Sequence, residues 1–522
     1  MPVPVARTSE LPADLTPQRR QADIEFLRQV SKRGAQVDLV VIGGGITGVG
    51  VALDAASRGL KVVLLEAEDL AFGTSRWSSK LVHGGLRYLA NGQIDVAWES
   101  AVERGRLMRR IAPHLVHPMA QVLPIMGDDS WHNIALTRTG LLAGDLLRAA
   151  AGTPGQLLPR SRRLTAQQTL QWAPALAAEN LRGGLLSWDG RLEDDARLVV
   201  AVARTAADHG AHIITGAQVT QACGTSVVVD LDGEQLEIPA AAVISAVGVW
   251  AESFDPSLSV TPSQGSHLLL AADRLGNPQA ALTVPVPDMH GRYCFVLPRP
   301  DNLVLAGITD IEVPGEIPEV PIPSSAEQAW ILHQVSRVLC QPLTAEDVIG
   351  KFAGLRPLVT VGHSEGPTSD ISRRHLVQRA NSGIVTIAGG KLTTYRRMAQ
   401  DAVDAISTRP CRTKDLPLVG AENGAQVGDS AGLPDWAARL VRRYGSEADR
   451  LVAMAQDDAL LREPLAPQVP VLGVEIAFAI NCEGARDFAD CVQRRTRLSL
   501  VPAQLTAAEP RVREILARMP PG

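Results

Sequence analysis

The stretch VDLVVIGGGITGVGVALDAASRGLKVVLLE, residues 37–66, decides the fold. It reads as a buried strand, a glycine turn, an apolar helix, a second strand and an acid, the order a dinucleotide site requires. Gly43 permits the tight turn out of the strand, Gly45 has no side chain to block a pyrophosphate, and Gly48 lets the helix pack close to the strand. The helix N-terminus offers unpaired N–H groups and partial positive charge to phosphates. Val49, Ala52, Leu53, Ala56 and Leu60 recur at helical spacing on one face. Glu66 follows about 20 residues later, where a carboxylate accepts hydrogen bonds from both ribose hydroxyls. An acid there favours a free 2′-hydroxyl, so the site reads as one for FAD or NAD rather than NADP.

The chain has 522 residues, which sets a prior of two or three domains. Its hydrophobic (45%) and charged (20%) fractions are those of an ordinary globular protein. A net charge of −5 argues against nucleic acid as a partner, although a phosphorylated substrate would need a local basic patch. The six cysteines form no CxxC pair and no zinc-type cluster, so no metal is expected and unpaired thiols in a reducing compartment are. The first 20 residues lack a signal-peptide core, and no apolar run is long enough to span a bilayer. Thr16 caps an expected helix with Pro17 at its first position and Ile24, Leu27 and Val30 on one face.

Further along, AHIITG reads as a strand and VVVDLDGEQLEI as a hairpin turning at Asp232-Gly233. Two more strands end at glycines, Gly248 and Gly389. With the strand before Gly43 they would end at the carboxyl edge of one parallel sheet, where open α/β folds bind ligands. Short strands broken by Pro and Gly (SHLLLAA, ALTVPVP, RYCFVLPR, NLVLAGITD) predict a second, antiparallel sheet. From about residue 415 the pattern is helical with proline breaks.

The segment FGTSRWSSKLVHGGLRYL, residues 72–89, is dense in hydroxyls and cations yet interleaved with Leu81, Val82, Leu86 and Leu89, which marks it as buried. Together with GGGITG it resembles the signature of FAD-dependent (aerobic) glycerol-3-phosphate dehydrogenases. DDARLV, VISAVGVWA, SQGSHLLL, FAGLRPL, AGGKLTTYRRMA and CVQRRTRLSL resemble further motifs of that family in the same order, from about residue 37 to about residue 500. The departures are Gln264 where Lys is frequent, Ser245 and Val249 in the second flavin motif, and Arg374 where an acid is usual.

The resemblance implies an α/β protein with an FAD-binding Rossmann-like domain of glutathione-reductase type, an antiparallel-sheet substrate domain and a C-terminal helical cap. The expected division is a preamble helix at 1–37, the FAD domain from 38–110, 185–258 and 355–410, the substrate domain from 111–184 and 259–354, and the cap at 411–522. It implies non-covalent FAD held by Gly43, Gly45, Gly48, Glu66, Thr74, Ser75, Ser79, Lys80, His83, Gly84, Gly85, Gly248, Gly389, Gly390, Lys391 and Leu392. Glycerol 3-phosphate would be oxidised to dihydroxyacetone phosphate by hydride transfer to FAD. Its dianionic phosphate calls for forked guanidiniums, with Arg87, Arg356 and Arg373 as candidates and Tyr88 beside them. Lys391 would steady the alcohol oxygen, and His267 is the candidate general base.

With no second nucleotide fingerprint, electrons would pass to a quinone or to oxygen; the family precedent is a membrane quinone, reached from the cytoplasmic face by peripheral attachment. WAARLVRRY, residues 436–444, suits a core-packed helix with solvated arginines or a membrane interface. A homodimer stays open. An FAD-dependent amine or amino-acid oxidase, and a flavin-binding protein without turnover, are the competing readings.

Overall fold

The computed structural model describes residues 12–85, 92–287, 291–359, 374–421 and 433–519. Arg87, Tyr88 and Arg373 lie outside them.

Two sheets carry the fold. The smaller contains parallel strands in the order Val385–Gly389, Glu234–Ser245, Val37–Ile42, Val62–Glu66 and His212–Thr215. His375–Arg379 closes one edge antiparallel. The strands before Gly43 and Gly248 and the one ending at Gly389 are therefore neighbours, and their carboxyl ends share one edge as expected. Ser226–Leu231 and Glu234–Ser245 form the expected hairpin. Asp232 and Gly233 both take positive φ, 53° and 89°, the geometry of a two-residue turn that matches strand twist.

The helix Ile46–Ser57 is buried along nearly its whole length and packs between the helices Asp195–Asp208 and Tyr395–Asp404. Its entry depends on two glycines. Gly43 takes φ +107°, and a Cβ on Gly48 would lie 1.9 Å from the Gly43 carbonyl oxygen. The helix Pro17–Arg33 starts at Thr16, whose hydroxyl accepts from the Arg19 amide, and buries Leu27 and Val30.

The larger sheet runs Ile311–Glu312, Val260–Ala271, Leu303–Gly307, Tyr293–Arg299, Ala281–Pro285, Val116–Met126, Leu181–Leu192 and Leu81–Val82. Val348–Val359 also pairs along Val260–Ala271. It departs from the expectation in two ways. Ala281–Pro285 pairs parallel with Val116–Met126, so the sheet is mixed. Leu181–Leu192 and Val348–Val359, which reach into the segments expected for the FAD domain, pair in this larger sheet instead. Alternation marks a strand but does not name its neighbour; partner choice comes from tertiary contacts.

The C-terminal helices have their own core around Tyr444, Leu451, Phe478 and Val512. Buried ion pairs fasten them to the first sheet's half. Arg495 reaches both oxygens of Asp69 at 2.8 Å, Arg197 pairs with Glu483, and Arg204 joins Glu447 and Asp14. Burial pushes the Asp69 carboxyl up, but Arg495 and Arg494 outweigh that and hold it below the usual range.

The membrane-interface reading of residues 436–444 fails here, and the core-packed alternative stands. Leu440 and Tyr444 are buried. Arg439 pairs with Glu475 and Asp301, Arg442 with Glu193 and Asp301, and Arg443 donates to the Arg495 carbonyl.

Candidate active site

A cavity of about 1850 Å³ extends from the glycine turn to the larger sheet. That exceeds the usual volume for one small ligand and leaves room for a dinucleotide plus a substrate. Gly43, Gly45, Glu66, Thr74 and Ser75 line one end, and Ser79, His83, Gly248, Gly389, Gly390, Lys391, Leu392 and Arg356 continue the wall.

At the dinucleotide end the geometry fits the group the fingerprint implies. The Ser75 hydroxyl accepts from the Ile46 amide at 2.9 Å, beside the first turn of the helix, so its oxygen lies where helix-end amides meet phosphates. A Cβ on Gly45 would come within 3.1 Å of it. Glu66 accepts from the Gly44 and Glu68 amides, and burial raises its carboxyl to about 7 despite those bonds. Ribose hydroxyls donating to Glu66 would favour its charged form. These residues would hold FAD.

At the other end, strand register builds the chemistry. Val260–Ala271 and Val348–Val359 run antiparallel with Ser263 opposite Arg356, Gly265 opposite Gly354, and His267 opposite Phe352. Side chains alternate along a strand, so these six positions share one face. Gly265 and Gly354 let the Arg356 guanidinium and Trp77 settle directly onto its middle. A Cβ on Gly265 would strike Arg356 Nη2 at 2.3 Å, and one on Gly354 would strike Trp77 Cβ at 2.6 Å. Sequence reasoning passed over both glycines; their matched places inside two strands were the available signal.

Arg356 is held in place. Its Nη1 meets Asp310 at 3.1 Å and Ser263 Oγ at 3.3 Å, and its Nη2 donates to the Thr309 carbonyl at 3.2 Å. Gln264 donates to Glu327 at 2.9 Å, and Glu327 also accepts from Ser266 and Thr309. Burial raises Glu327, yet these bonds outweigh it and leave the carboxyl below its ordinary value. A lysine at 264 would meet that carboxylate as an ion pair, so the exchange keeps the contact and removes a charge.

His267 is buried, 1% exposed, and stacks on Phe352 with ring centres 4.8 Å apart. It stands one hydrogen bond behind the cavity wall, with Nε2 2.9 Å from Ser79 Oγ. Nδ1 has no hydrogen-bond partner among the described residues. Burial, then the charges of Lys80 and Arg356, hold the imidazolium well below its usual pKa, so the ring is neutral near pH 7. The Lys391 ammonium donates to Ser100 Oγ.

Four expected cofactor contacts, Gly48, Lys80, Gly84 and Gly85, are placed elsewhere. Lys80 is 4% exposed and pairs with Asp195 at 3.1 Å, away from the cavity wall. An ammonium cut off from water needs that carboxylate; burial lowers Lys80 to about 8 even so. Gly84 does not line the cavity, because its amide is taken by both oxygens of Asp189, at 3.0 and 3.1 Å, and Arg104 also grips Asp189. Gly85 beside it is likewise off the wall, in a φ +80° turn. Asp189, Arg292 and Tyr293 line the cavity and were not singled out from sequence. Gly48 packs against the glycine turn rather than facing the cavity.

The chain is similar to several known proteins. Glycerol-3-phosphate dehydrogenase 1 of Mycobacterium tuberculosis (strain ATCC 25618 / H37Rv) is 48% identical over 518 residues, 97% of this chain and 99% of that protein. A mitochondrial glycerol-3-phosphate dehydrogenase of Arabidopsis thaliana is 34% identical, covering 92% of this chain and 82% of its own. The structure of the Bacillus halodurans glycerol-3-phosphate dehydrogenase complexed with FAD superposes with a TM-score of 0.73 at 26% identity, covering 96% of this chain and 93% of that one. L-alpha-glycerophosphate oxidase from Mycoplasma pneumoniae shares the fold, with a TM-score of 0.56 at 16% identity over 73% of this chain and 99% of that one. Residues 411–519 match the C-terminal domain of alpha-glycerophosphate oxidase. Residues 38–396, more than half of the chain, match the FAD dependent oxidoreductases, and the chain belongs to that family.

Proposed function

We propose that this chain oxidises glycerol 3-phosphate to dihydroxyacetone phosphate and passes the electrons to a quinone. The observation that carries this reading is the strand register, which sets Arg356 and His267 on one face, with Gly265 giving the Arg356 guanidinium room to lie along it. FAD, when bound, supplies the hydride acceptor.

Arg356, fixed by Asp310 and the Thr309 carbonyl, offers its planar fork to the phosphate. Arg87 and Arg373 are proposed to complete the grip. Lys391 steadies negative charge on the alcohol oxygen as its proton leaves. That proton passes to Ser79 Oγ while the Ser79 proton passes to His267 Nε2, across the 2.9 Å bond between them. His267 is suited to this role because it starts neutral. The quinone reading rests on the chain's single dinucleotide fingerprint, and it places the protein at the cytoplasmic face of a membrane without a span of its own; among the described residues no helix is long and apolar enough to cross one.

The test is anaerobic mixing of the yellow holoenzyme with glycerol 3-phosphate, glycerol and amino acids in separate samples. Loss of the visible flavin band with the phosphate ester alone is the expected result. Bleaching by an amino acid, or by no donor, rejects the proposal.

A further inference from the structure

The helix Trp131–Ala150 is built inside out. Among its 20 residues only Ile134 and Arg148 are buried, while Trp131, Leu136, Leu142 and Leu146 are 64, 60, 47 and 73% exposed. At 3.6 residues per turn, Trp131, Ala135, Leu142, Leu146 and Ala149 fall within about 60° of arc. No Asp, Glu, Lys or Arg of this helix is exposed. Of its three charged residues Arg148 is buried, and Arg138 and Asp145 are half-buried on polar partners beside the stripe. Arg138 donates to Ser161 Oγ, Asp145 accepts from the Ser161 amide and hydroxyl, and Arg148 donates to the Thr153 carbonyl. A solvent-facing helix ordinarily shows the reverse pattern.

The helix is seated firmly on its inner side. Ile134 and Leu141 pack with Leu123, Ile125 and Leu185, and Leu147 packs on Val96 and Ala97. Its outer stripe ends at Trp131, whose ring lies beneath the guanidiniums of Arg163 (5.5 Å) and Arg182 (4.8 Å). Arg106, Arg109 and Arg110 stand at the other end, around Ala151, with one carboxylate, Asp415, 3.8 Å from Arg110. A chargeless apolar stripe with an interfacial Trp and arginines at its ends fits the boundary between anionic headgroups and acyl chains. A second protein fits less well. A helix about 30 Å long and about 10 Å wide shows a face of roughly 300 Å², well under the ~800 Å² per partner of a stable interface.

We propose that this helix lies flat on an anionic lipid bilayer and is the protein's membrane seat. Leu136, Gly140 and Ala143, on another side of the same helix, line the cavity. Thr139, next to the stripe, lines it too, so the seated helix keeps the cavity within about one helix diameter, ~10 Å, of the lipid. This bearing on electron transfer rests on the quinone reading; the docking itself does not.

The test uses FAD-loaded protein, vesicles of phosphatidylcholine with or without phosphatidylglycerol, and sedimentation. Binding to the anionic vesicles is expected, with a blue shift in Trp131 fluorescence that W131F removes. Leu142→Glu with Leu146→Glu, both exposed and off the cavity wall, should weaken binding at least about tenfold. Turnover of glycerol 3-phosphate with a soluble dye should stay unchanged, and turnover on quinone-loaded vesicles should fall. Failure of the unmodified protein to sediment, or equal binding by the double variant, overturns the proposal. So does a dimeric mass in light scattering that the double variant abolishes. Binding that persists while glycerol 3-phosphate fails to bleach the flavin upholds the seat and rejects the functional reading alone.

Discussion

Gly265→Ala adds one methyl where the Arg356 guanidinium rests. The new Cβ would lie 2.3 Å from Nη2 and 2.8 Å from Cζ, with Ile308 Cδ1 at 2.7 Å. All three atoms belong to side-chain ends, and Gly265 lies mid-strand outside the left-handed region, so the backbone can stay and the arginine must move. It then leaves Asp310 and the Thr309 carbonyl, now 3.1 and 3.2 Å away. If the fork holds the phosphate through two charge-assisted bonds worth about 1.5–3 kcal/mol each, about 3–6 kcal/mol is lost. That is roughly 10²–10⁴-fold in kcat/KM. The phosphate takes no part in the bonds that change and is gripped alike before and during reaction, so the loss should fall on KM with kcat little changed. Steady-state assays with glycerol 3-phosphate and a dye acceptor measure it, with the flavin spectrum and melting temperature as folding controls. A KM change under about tenfold (1.4 kcal/mol) in a folded, yellow variant would refute the phosphate role of Arg356.

Ser79→Ala should lower kcat by about 10²-fold, within the range for positioned proton transfer, and leave KM nearly unchanged; rapid-mixing flavin reduction reads this step, and a normal rate removes Ser79 from the relay. The same experiment across pH should show no inflection near 6.5 from His267, because its folded pKa lies well below that. Glu66 has its folded pKa raised from 4.5 to about 7, so the flavin-free protein takes up protons on folding and loses that contribution as pH rises from about 4.5 to 7. Glu66→Gln should flatten this slope in urea titrations and weaken FAD binding above pH 7; an unchanged slope contradicts the assignment. Lys80→Met strands the buried Asp195 carboxylate and should cost about 3–5 kcal/mol in chemical denaturation, with Asp195→Asn restoring part of it. Little destabilisation, together with lost flavin, would return Lys80 to the cofactor's contacts.

The dinucleotide unit was legible because each requirement leaves a local mark: a strand, glycines at fixed spacing, an apolar helix and Glu66. The hairpin at Asp232-Gly233 and the cap at Thr16 are likewise local. What escaped depends on partners far along the chain. Lys80 reads as a loop cation until Asp195 is found beside it. Gly265 and Gly354 are ordinary strand glycines until the register sets them opposite each other. Leu181–Leu192, LRGGLLSWDGRL, carries no local pattern that says which sheet it joins. Trp131–Ala150 reads as a helix in either case; only its packing reveals which side meets water.

The arginines near the C-terminus also bear on how the protein is made. Arg494 and Arg495 clasp Asp69, and Arg497 donates to the Arg76 carbonyl, in the turn that supplies Thr74, Ser75 and Ser79. During synthesis at ~5–20 residues per second, the ribosome needs roughly 20–80 s to travel from that turn to its clasp. The smaller sheet receives its last strand, Val385–Gly389, late in synthesis, and the wall of the cofactor chamber stays unfastened later still, until Arg494, Arg495 and Arg497 have been made. A chain cut before Arg494 would keep every strand of both sheets yet leave the chamber unlatched.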